Sequence, residues 1–364
     1  MTNAAAVSAQ EVAALRDSVR EVIRRRGDHA LRDAFGSASR YDADLWTTLC
    51  QQVGVAALAI PEEYGGVGAS WLETAAVTEE LGGSLSGVPM LASAVMATGA
   101  LLLSGDDAVC TQLLPDLADG SRTAALCWSA HQDWNRSGVA ADAGLLTGTA
   151  NYVINAESAD LLVVFAGSAA DTRPATLHYV DAATAGVDVT PLPVLDPTRP
   201  MARVTFNDVP ASAVSSDPGV FSRLRDLTWA LLAVEQVGGA AAALDLTVEY
   251  TKSRKQFGRV IGSFQALKHR MADMYADVET SRSIAYAAVE AIVSGAADAS
   301  EVAASAHVYC SEAFRRVTGE AIQLHGGIGI TWEHDIQLYF KRAQGSSQLL
   351  GQPHEVIAEL SANL

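Results

Sequence analysis

The sequence predicts an α+β protein in which a helical region, a strand-rich region and a helical bundle follow one another along the chain. Three observations carry this. Ala and Leu recur at spacings of three and four from about residue 8 to residue 120, as in amphipathic helices. From Thr123 the texture changes to short apolar runs bounded by Gly, Pro, Asn and Asp. Beyond Phe221 the helical period returns and lasts. With 364 residues, 49% hydrophobic and 18% charged, the chain can bury a sizeable core, which excludes disordered, collagen-like and disulfide-framework classes.

The first region is placed at residues 1–121. Its opening segment, MTNAAAVSAQEVAALRDSVREVIRRRGD, lacks the basic-then-apolar order of a signal peptide and reads as an amphipathic helix with a basic end. Gly and Pro break the helical pattern at IPEEYGGVG (60–68) and GGSLSGVP (82–89). The second region, 122–216, contains strand-length runs such as TAALCWSA, GLLTGTANYVINA, ADLLVVFAG, ATLHYVDA, GVDVTPLPV and ARVTFNDVP. The third, 217–364, carries long Ala-rich helical segments at 223–254, 263–295 and 299–323.

Twenty-five Lys and Arg against 42 Asp and Glu leave a net charge of −17. A field of that sign repels phosphate backbones and anionic lipid surfaces, so neither nucleic acid nor membrane is expected as a partner. An anionic ligand would need a local Arg cluster or helix N-termini. The four cysteines lie far apart with no CxxC pair, which points to buried thiols in a reducing cytoplasm and to no metal site. No run reaches the ~18 uninterrupted apolar residues of a membrane span.

Two polar clusters stand out. In Tyr250-Thr-Lys-Ser-Arg254-Lys-Gln256-Phe257-Gly258-Arg-Val-Ile261-Gly-Ser-Phe264-Gln265, two glycines interrupt the helical pattern, and Arg and Gln offer donors suited to a phosphate or a purine edge. Read without any ligand, it is an ordinary loop between helices. In Gln323-Leu-His325-Gly326-Gly327-Ile-Gly329-Ile-Thr-Trp332-Glu333-His334-Asp335, three glycines in four positions permit close approach to the backbone, or simply cap a helix. His325 and His334 read as structural or surface histidines, with no second ligand at metal spacing.

RKQFGRVIGSFQALKHRMADM and QLHGGIGITWEHD resemble the two C-terminal signatures of the acyl-CoA dehydrogenase family. The resemblance extends to IPEEYGGVG followed by TEELGG, to LTGTANYVINAESADLLVV, and to VDAATAGVDV and DPTRPMARVTFNDV, covering nearly the whole chain. It implies an N-terminal helical domain, a central β-barrel-like domain, and a C-terminal four-helix bundle that dimerises, usually twice. It also implies FAD held between the β domain of one subunit and the bundle of its neighbour, an acyl-CoA substrate, and an electron-transferring flavoprotein as redox partner.

The resemblance assigns Arg254 to the FAD pyrophosphate across a dimer interface and Phe257, Phe264 and Gln265 to its adenosine part. Gln323, Gly326 and Gly327 match the glycine-rich segment facing the neighbour's FAD. On the β side the family's Thr-Glu-Pro followed by Gly-Ser-Asp is replaced by Trp128-Ser129-Ala130-His131-Gln132-Asp133-Trp134, which keeps the Ser hydroxyl and loses the acid. The family's Trp-Ile-Thr is replaced by Tyr152-Val153-Ile154.

The family reaction uses a carboxylate to take the α-proton of the thioester while a hydride leaves the β-carbon, and desolvation raises the basicity of such a group. Aligned from FKRA (340–343), the commoner base position falls on Leu350 and the alternative on Thr228; neither side chain can serve. Glu235, among Ala233, Val234, Val237 and Gly238, is the compensating candidate; the bland alternative is a Glu paired with an Arg of the bundle or lining the far end of the acyl cavity. Two functions stay open: a dehydrogenase with a displaced base, in a dimer or tetramer, or a non-catalytic partner that lends FAD-binding residues in a hetero-oligomer. An excess of Arg over Lys with abundant Ala points to a GC-rich genome, where by family analogy such unlike pairs act on bulky CoA thioesters in fatty acid or steroid side-chain degradation.

Overall fold

The computed structural model describes residues 9–26, 41–168 and 170–362. Helix α1 (Ala9–Arg26) carries Glu11 in its first turn and Arg24, Arg25 and Arg26 in its last, each sign favoured by the helix dipole. Asp42 caps α2 (Ala43–Val53) by accepting from Leu45 N at 2.9 Å, and also accepts from Arg26 Nε at 2.8 Å. The expected break at 60–68 is a single 3₁₀ turn, Glu62–Tyr64, closed by Gly65 at φ 82°. A Cβ on the next residue, Gly66, would lie 1.9 Å from Ile60 O, so only glycine fits the recoil of the chain.

The break expected at 82–89 begins later. Gly82 and Gly83 lie inside α3 (Trp71–Gly83), and the chain turns at Leu85, φ 50°. These glycines serve packing: a Cβ at Gly82 would sit 2.3 Å from Glu235 O, and one at Gly238 only 1.9 Å from Glu79 O. Two helix backbones touch there, and sequence cannot separate that use of glycine from helix breaking. A fully buried π-helix, Met90–Ala97, runs into α4 (Thr98–Ser104), followed by α5 (Asp107–Ala118).

The strand-rich region forms two four-stranded sheets. One has the order β1 (Ala124–Cys127), β6 (Leu161–Ala166), β7 (Thr176–Asp181), β10 (Ser212–Ser215), with β1 and β6 parallel. The other has the order β4 (Val139–Asp142), β5 (Leu145–Ile154), β9 (Met201–Pro210), β8 (Val187–Pro191). Between β1 and β4 lies a small hairpin of β2 (Ser129–Ala130) and β3 (Asp133–Ser137). Inward residues of both large sheets, among them Cys127, Leu146, Val164, Val204 and Phe206, share one core.

Four helices make the bundle: α6 (Gly219–Ser253), α7 (Gln265–Ser294), α8 (Ala299–His325) and α9 (Ile336–Ser346), followed by α10 (Pro353–Ala362). The α6 helix is long and apolar enough to cross a membrane, yet 89% of its most apolar window is buried within the protein. Gly239 admits Phe314, whose ring tip would lie 2.5 Å from an added Cβ, and Gln236 Nε2 donates to Ser311 Oγ at 3.0 Å.

Compactness groups these elements differently from chain order. One unit comprises the described residues up to Val77 with Gly87–Val194 and Arg199–Thr228; the other comprises Thr78–Ser86, Leu195–Thr198 and the chain from Trp229 onward. All four cysteines are buried free thiols, and burial pushes Cys50 and Cys310 up to about 12.

Candidate functional site

Arg254 follows the last turn of α6, where its backbone N donates to Tyr250 O at 2.9 Å and its carbonyl accepts from Ile261 N at 2.8 Å. A two-residue ladder, Lys255–Gln256 with Arg259–Val260, folds the loop so that Phe257, at φ 54°, is 90% exposed. The Arg254 side chain is exposed and engages no described residue. Phe264 meets Phe257 edge-on at 6.1 Å and carries Arg259 over its face at 4.0 Å, while Gln265 opens α7 and contacts His269.

The glycine segment lies beside this loop. His325 stacks on Tyr250, ring centroids 4.4 Å apart, and ties the end of α8 to the turn that precedes Arg254. His325 is 3% exposed, and desolvation lowers its pKa below the ordinary value, with His334 at 4.5 Å adding to the effect. Gln323, Gly326 and Gly327 are exposed, and an added Cβ at either glycine would meet nothing within 4 Å. Gly327 has no positive φ, so neither backbone strain nor a neighbour within the chain demands glycine there.

The residues aligned with the base are enclosed. Thr228 is fully buried and donates to Leu224 O at 2.8 Å, as a helix-interior Thr commonly does. Leu350, 6% exposed, takes a left-handed backbone, φ 59°, ahead of Gly351 at φ 110°. Two donors hold that turn: Trp229 Nε1 reaches Leu350 O at 3.2 Å and His307 Nε2 reaches Gly351 O at 2.9 Å, the two rings stacked at 5.5 Å. Desolvation pushes the His307 pKa down to about 4, so the ring is neutral and its Nε2 carries the proton donated to Gly351.

Glu235 has a cation. Its Oε1 accepts from Arg342 Nη1 at 3.0 Å, and Arg342 Nε also donates to Asp196 Oδ2 at 2.5 Å while Nη2 donates to Thr198 O at 3.0 Å and to Thr198 Oγ1. Burial alone would lower the Arg342 pKa, but the charges of Asp196 and Glu235 raise it. The geometry is that of a buried, hydrogen-bonded ion cluster. Sequence reasoning met Arg342 inside FKRA only as an alignment anchor; its partners Asp196 and Thr198 lie over 140 residues away, beyond any local pattern.

On the β side Trp128, Ser129 and Tyr152 come together with His131 and Trp134, two residues not singled out as cofactor contacts. Ser129 Oγ donates to Asn151 O at 2.6 Å, and Trp128 Nε1 donates to Trp134 O at 2.9 Å. Tyr152 OH and His131 Nδ1 are 3.2 Å apart. Ile154 is 6% exposed and paired with Met201, within the sheet. For the FAD that the family resemblance implies, the chain offers two different surfaces. The 254–265 and 323–327 segments fit it, with an open cation and glycines whose Cβ space is vacant. The β side does not fit it, because the side-chain donors there are consumed by the chain itself.

Family models describe residues 9–121 as an acyl-CoA dehydrogenase N-terminal domain and 226–360 as an acyl-CoA dehydrogenase C-terminal domain. The chain is 41% identical over 353 residues to acyl-CoA dehydrogenase IpdE2 of Mycolicibacterium smegmatis, covering 96% of this chain and 97% of the relative. Among solved structures it superposes on a variant of the steroid acyl-CoA dehydrogenase Tcur3481-Tcur3483, with TM-score 0.88 and 30% identity over 97% of each chain. It superposes likewise on the ChsE4-ChsE5 complex of Mycobacterium tuberculosis, TM-score 0.88 and 27% identity, covering 98% of this chain and 97% of that one. With both family domains in chain order and a relative matched over almost its whole length, the chain belongs to the acyl-CoA dehydrogenase family.

Proposed function

We propose that this chain is the lending subunit of a hetero-oligomeric, FAD-dependent acyl-CoA dehydrogenase that oxidises the α,β bond of a bulky CoA thioester. One observation carries this: the groups fit to serve a neighbour's cofactor stand open, whereas every position at which a base is expected is occupied or engaged. Arg254 is exposed and unpaired among the described residues, while Thr228 and Leu350 are buried and Glu235 is held by Arg342. A base must present its carboxylate to the α-proton; the Glu235 carboxylate is instead turned to the buried guanidinium of Arg342, 3.0 Å away. Bound FAD supplies the hydride acceptor, and the residues of this chain supply charge neutralisation at Arg254 and close backbone approach at Gly326 and Gly327.

The relatives support a two-chain assembly and a steroid-like acyl group, since one is described as a complex of ChsE4 with ChsE5 and another as a steroid enzyme. Cytoplasmic location and electron transfer to an electron-transferring flavoprotein complete the proposal by family resemblance. The test is anaerobic flavin bleaching with a panel of acyl-CoA substrates, for the chain alone and co-purified with a catalytic chain, plus flavin content of Arg254→Ala in the assembly. The lone chain is expected to bleach added flavin at least about 10²-fold more slowly than the assembly, the lower end of the usual cost of a missing base. Fast bleaching by the lone chain, abolished in Glu235→Gln, would restore Glu235 as the base and defeat the proposal.

A further inference from the structure

The β2–β3 hairpin and strand β5 hold an aromatic ladder. Phe165 meets Phe221 at 5.2 Å, Phe221 meets Trp128 at 5.7 Å, Trp128 meets Trp134 at 5.6 Å, and Trp134 meets Tyr152 at 5.6 Å. His131 finishes it, stacked on Tyr152 at 6.2 Å with 27° between the planes. Phe165 and Trp128 are buried and Phe221 is half-buried; of the outer three, Trp134 and Tyr152 are half-buried and His131 is exposed.

The outer rings are set by backbone that resists being where it is. Tyr152 has φ 57° and Gln132, at the tip of the hairpin, φ 60°. A left-handed conformation is disfavoured for a residue with a side chain, because its Cβ crowds the following carbonyl oxygen. The pairing of β5 with β9 slips between Ala150 and Val153, so Tyr152 sits on a bulge, the device that re-aims a strand side chain. Without the slip, period-two alternation would set its direction along the strand. With it, the ring lies over Trp134 and the hydroxyl meets His131.

We propose that Trp134, Tyr152 and His131 form a cap that closes the strand region's own ring-binding face, so that this chain takes no flavin there. The inference rests on the lending-subunit reading and adds its physical cause. A planar ring entering this face would have to part Trp134 from Tyr152, and it would find the Trp128 indole N–H, the Ser129 hydroxyl and the Tyr152–His131 pair already satisfied within the chain. Breaking the buried Ser129 bond without replacing it would leave a hydroxyl unpaired in the interior, a loss that opposes what stacking returns.

The experiment opens the cap. Trp134→Ala with Tyr152→Gly removes two of the three outer rings, and glycine accepts the left-handed backbone without strain. Lumiflavin is titrated into the wild type, this double variant and the ring-preserving pair Trp134→Phe with Tyr152→Phe, folding being checked by circular dichroism. The expected result is binding at least tenfold tighter in the opened variant, with the ring-preserving pair matching the wild type. A folded, opened variant with unchanged affinity would overturn the cap while leaving the lending reading intact. Wild-type protein that takes one flavin per chain, with Trp134 fluorescence quenched, would overturn both. Should the double variant fail to fold, Tyr152→Gly alone decides by the same affinities.

Discussion

Arg342 and Arg254 belong to the same compact unit and have the same side chain, yet they do opposite things. Arg342, with a side chain 4% exposed, is bonded to Asp196, Glu235 and Thr198; Arg254 stands in solvent with no described partner. The glycines divide in the same way. Gly238 and Gly239 are wedged against Glu79 O and Phe314, while Gly326 and Gly327 face empty space. The contrast teaches that a residue type suited to ligand chemistry becomes structural once the fold surrounds it with partners. Its availability is a property of the surroundings and not of the motif.

The largest expected effect comes from attacking the closed side of that contrast. Arg342→Met removes the buried guanidinium that Asp196 and Glu235 share and is expected to cost about 3–5 kcal/mol in urea unfolding. Adding Asp196→Asn and Glu235→Gln should recover much of the loss. A cost under about 1 kcal/mol would mean that the cluster is not what holds Glu235.

His307 gives a smaller effect with a definite sign. Its folded pKa of about 4 lies below the ordinary 6.5, so the unfolded chain binds the proton more readily. Stability from the neutral ring is then fully present above about pH 6.5 and is lost as pH falls toward 4, by about 3 kcal/mol at most. His307→Gln is expected to flatten thermal stability across that window. An unchanged pH slope would show that other groups dominate it.

The smallest effect sharpens the open side. Gly319 lies inside α8, and a Cβ there meets nothing within 4 Å. Gly319→Ala should therefore stabilise the isolated chain by up to about 1 kcal/mol, the helix propensity difference. The control is Gly239→Ala, where the Phe314 ring stands in the way and the change should destabilise.

Much of this molecule was legible in the chain. The three long helical segments expected at 223–254, 263–295 and 299–323 are realised as Gly219–Ser253, Gln265–Ser294 and Ala299–His325. Apolar periodicity over thirty residues leaves few alternatives. The shift of texture at Thr123 marks the entry into β1, because Gly and Pro punctuation with β-branched runs is local chemistry. The absence of an acid at positions 228 and 350 was also plain, and the structure adds only how each is enclosed.

What only the tertiary structure decided is the condition of each polar group. Sequence placed Glu235 among apolar neighbours and left its partner open; the partner proved to be Arg342, 107 residues onward, joined by Asp196 from a crossing segment. It placed Ser129 as a donor still on offer; the fold spends that hydroxyl on Asn151 O. It read Gly82 and Gly83 as a break, where they are the contact of two helices. Periodicity and punctuation depend on residues within a few turns of one another, so one chain carries them. Hydrogen-bond satisfaction, desolvation and backbone approach depend on which distant groups arrive at the same place, and only the folded chain determines that.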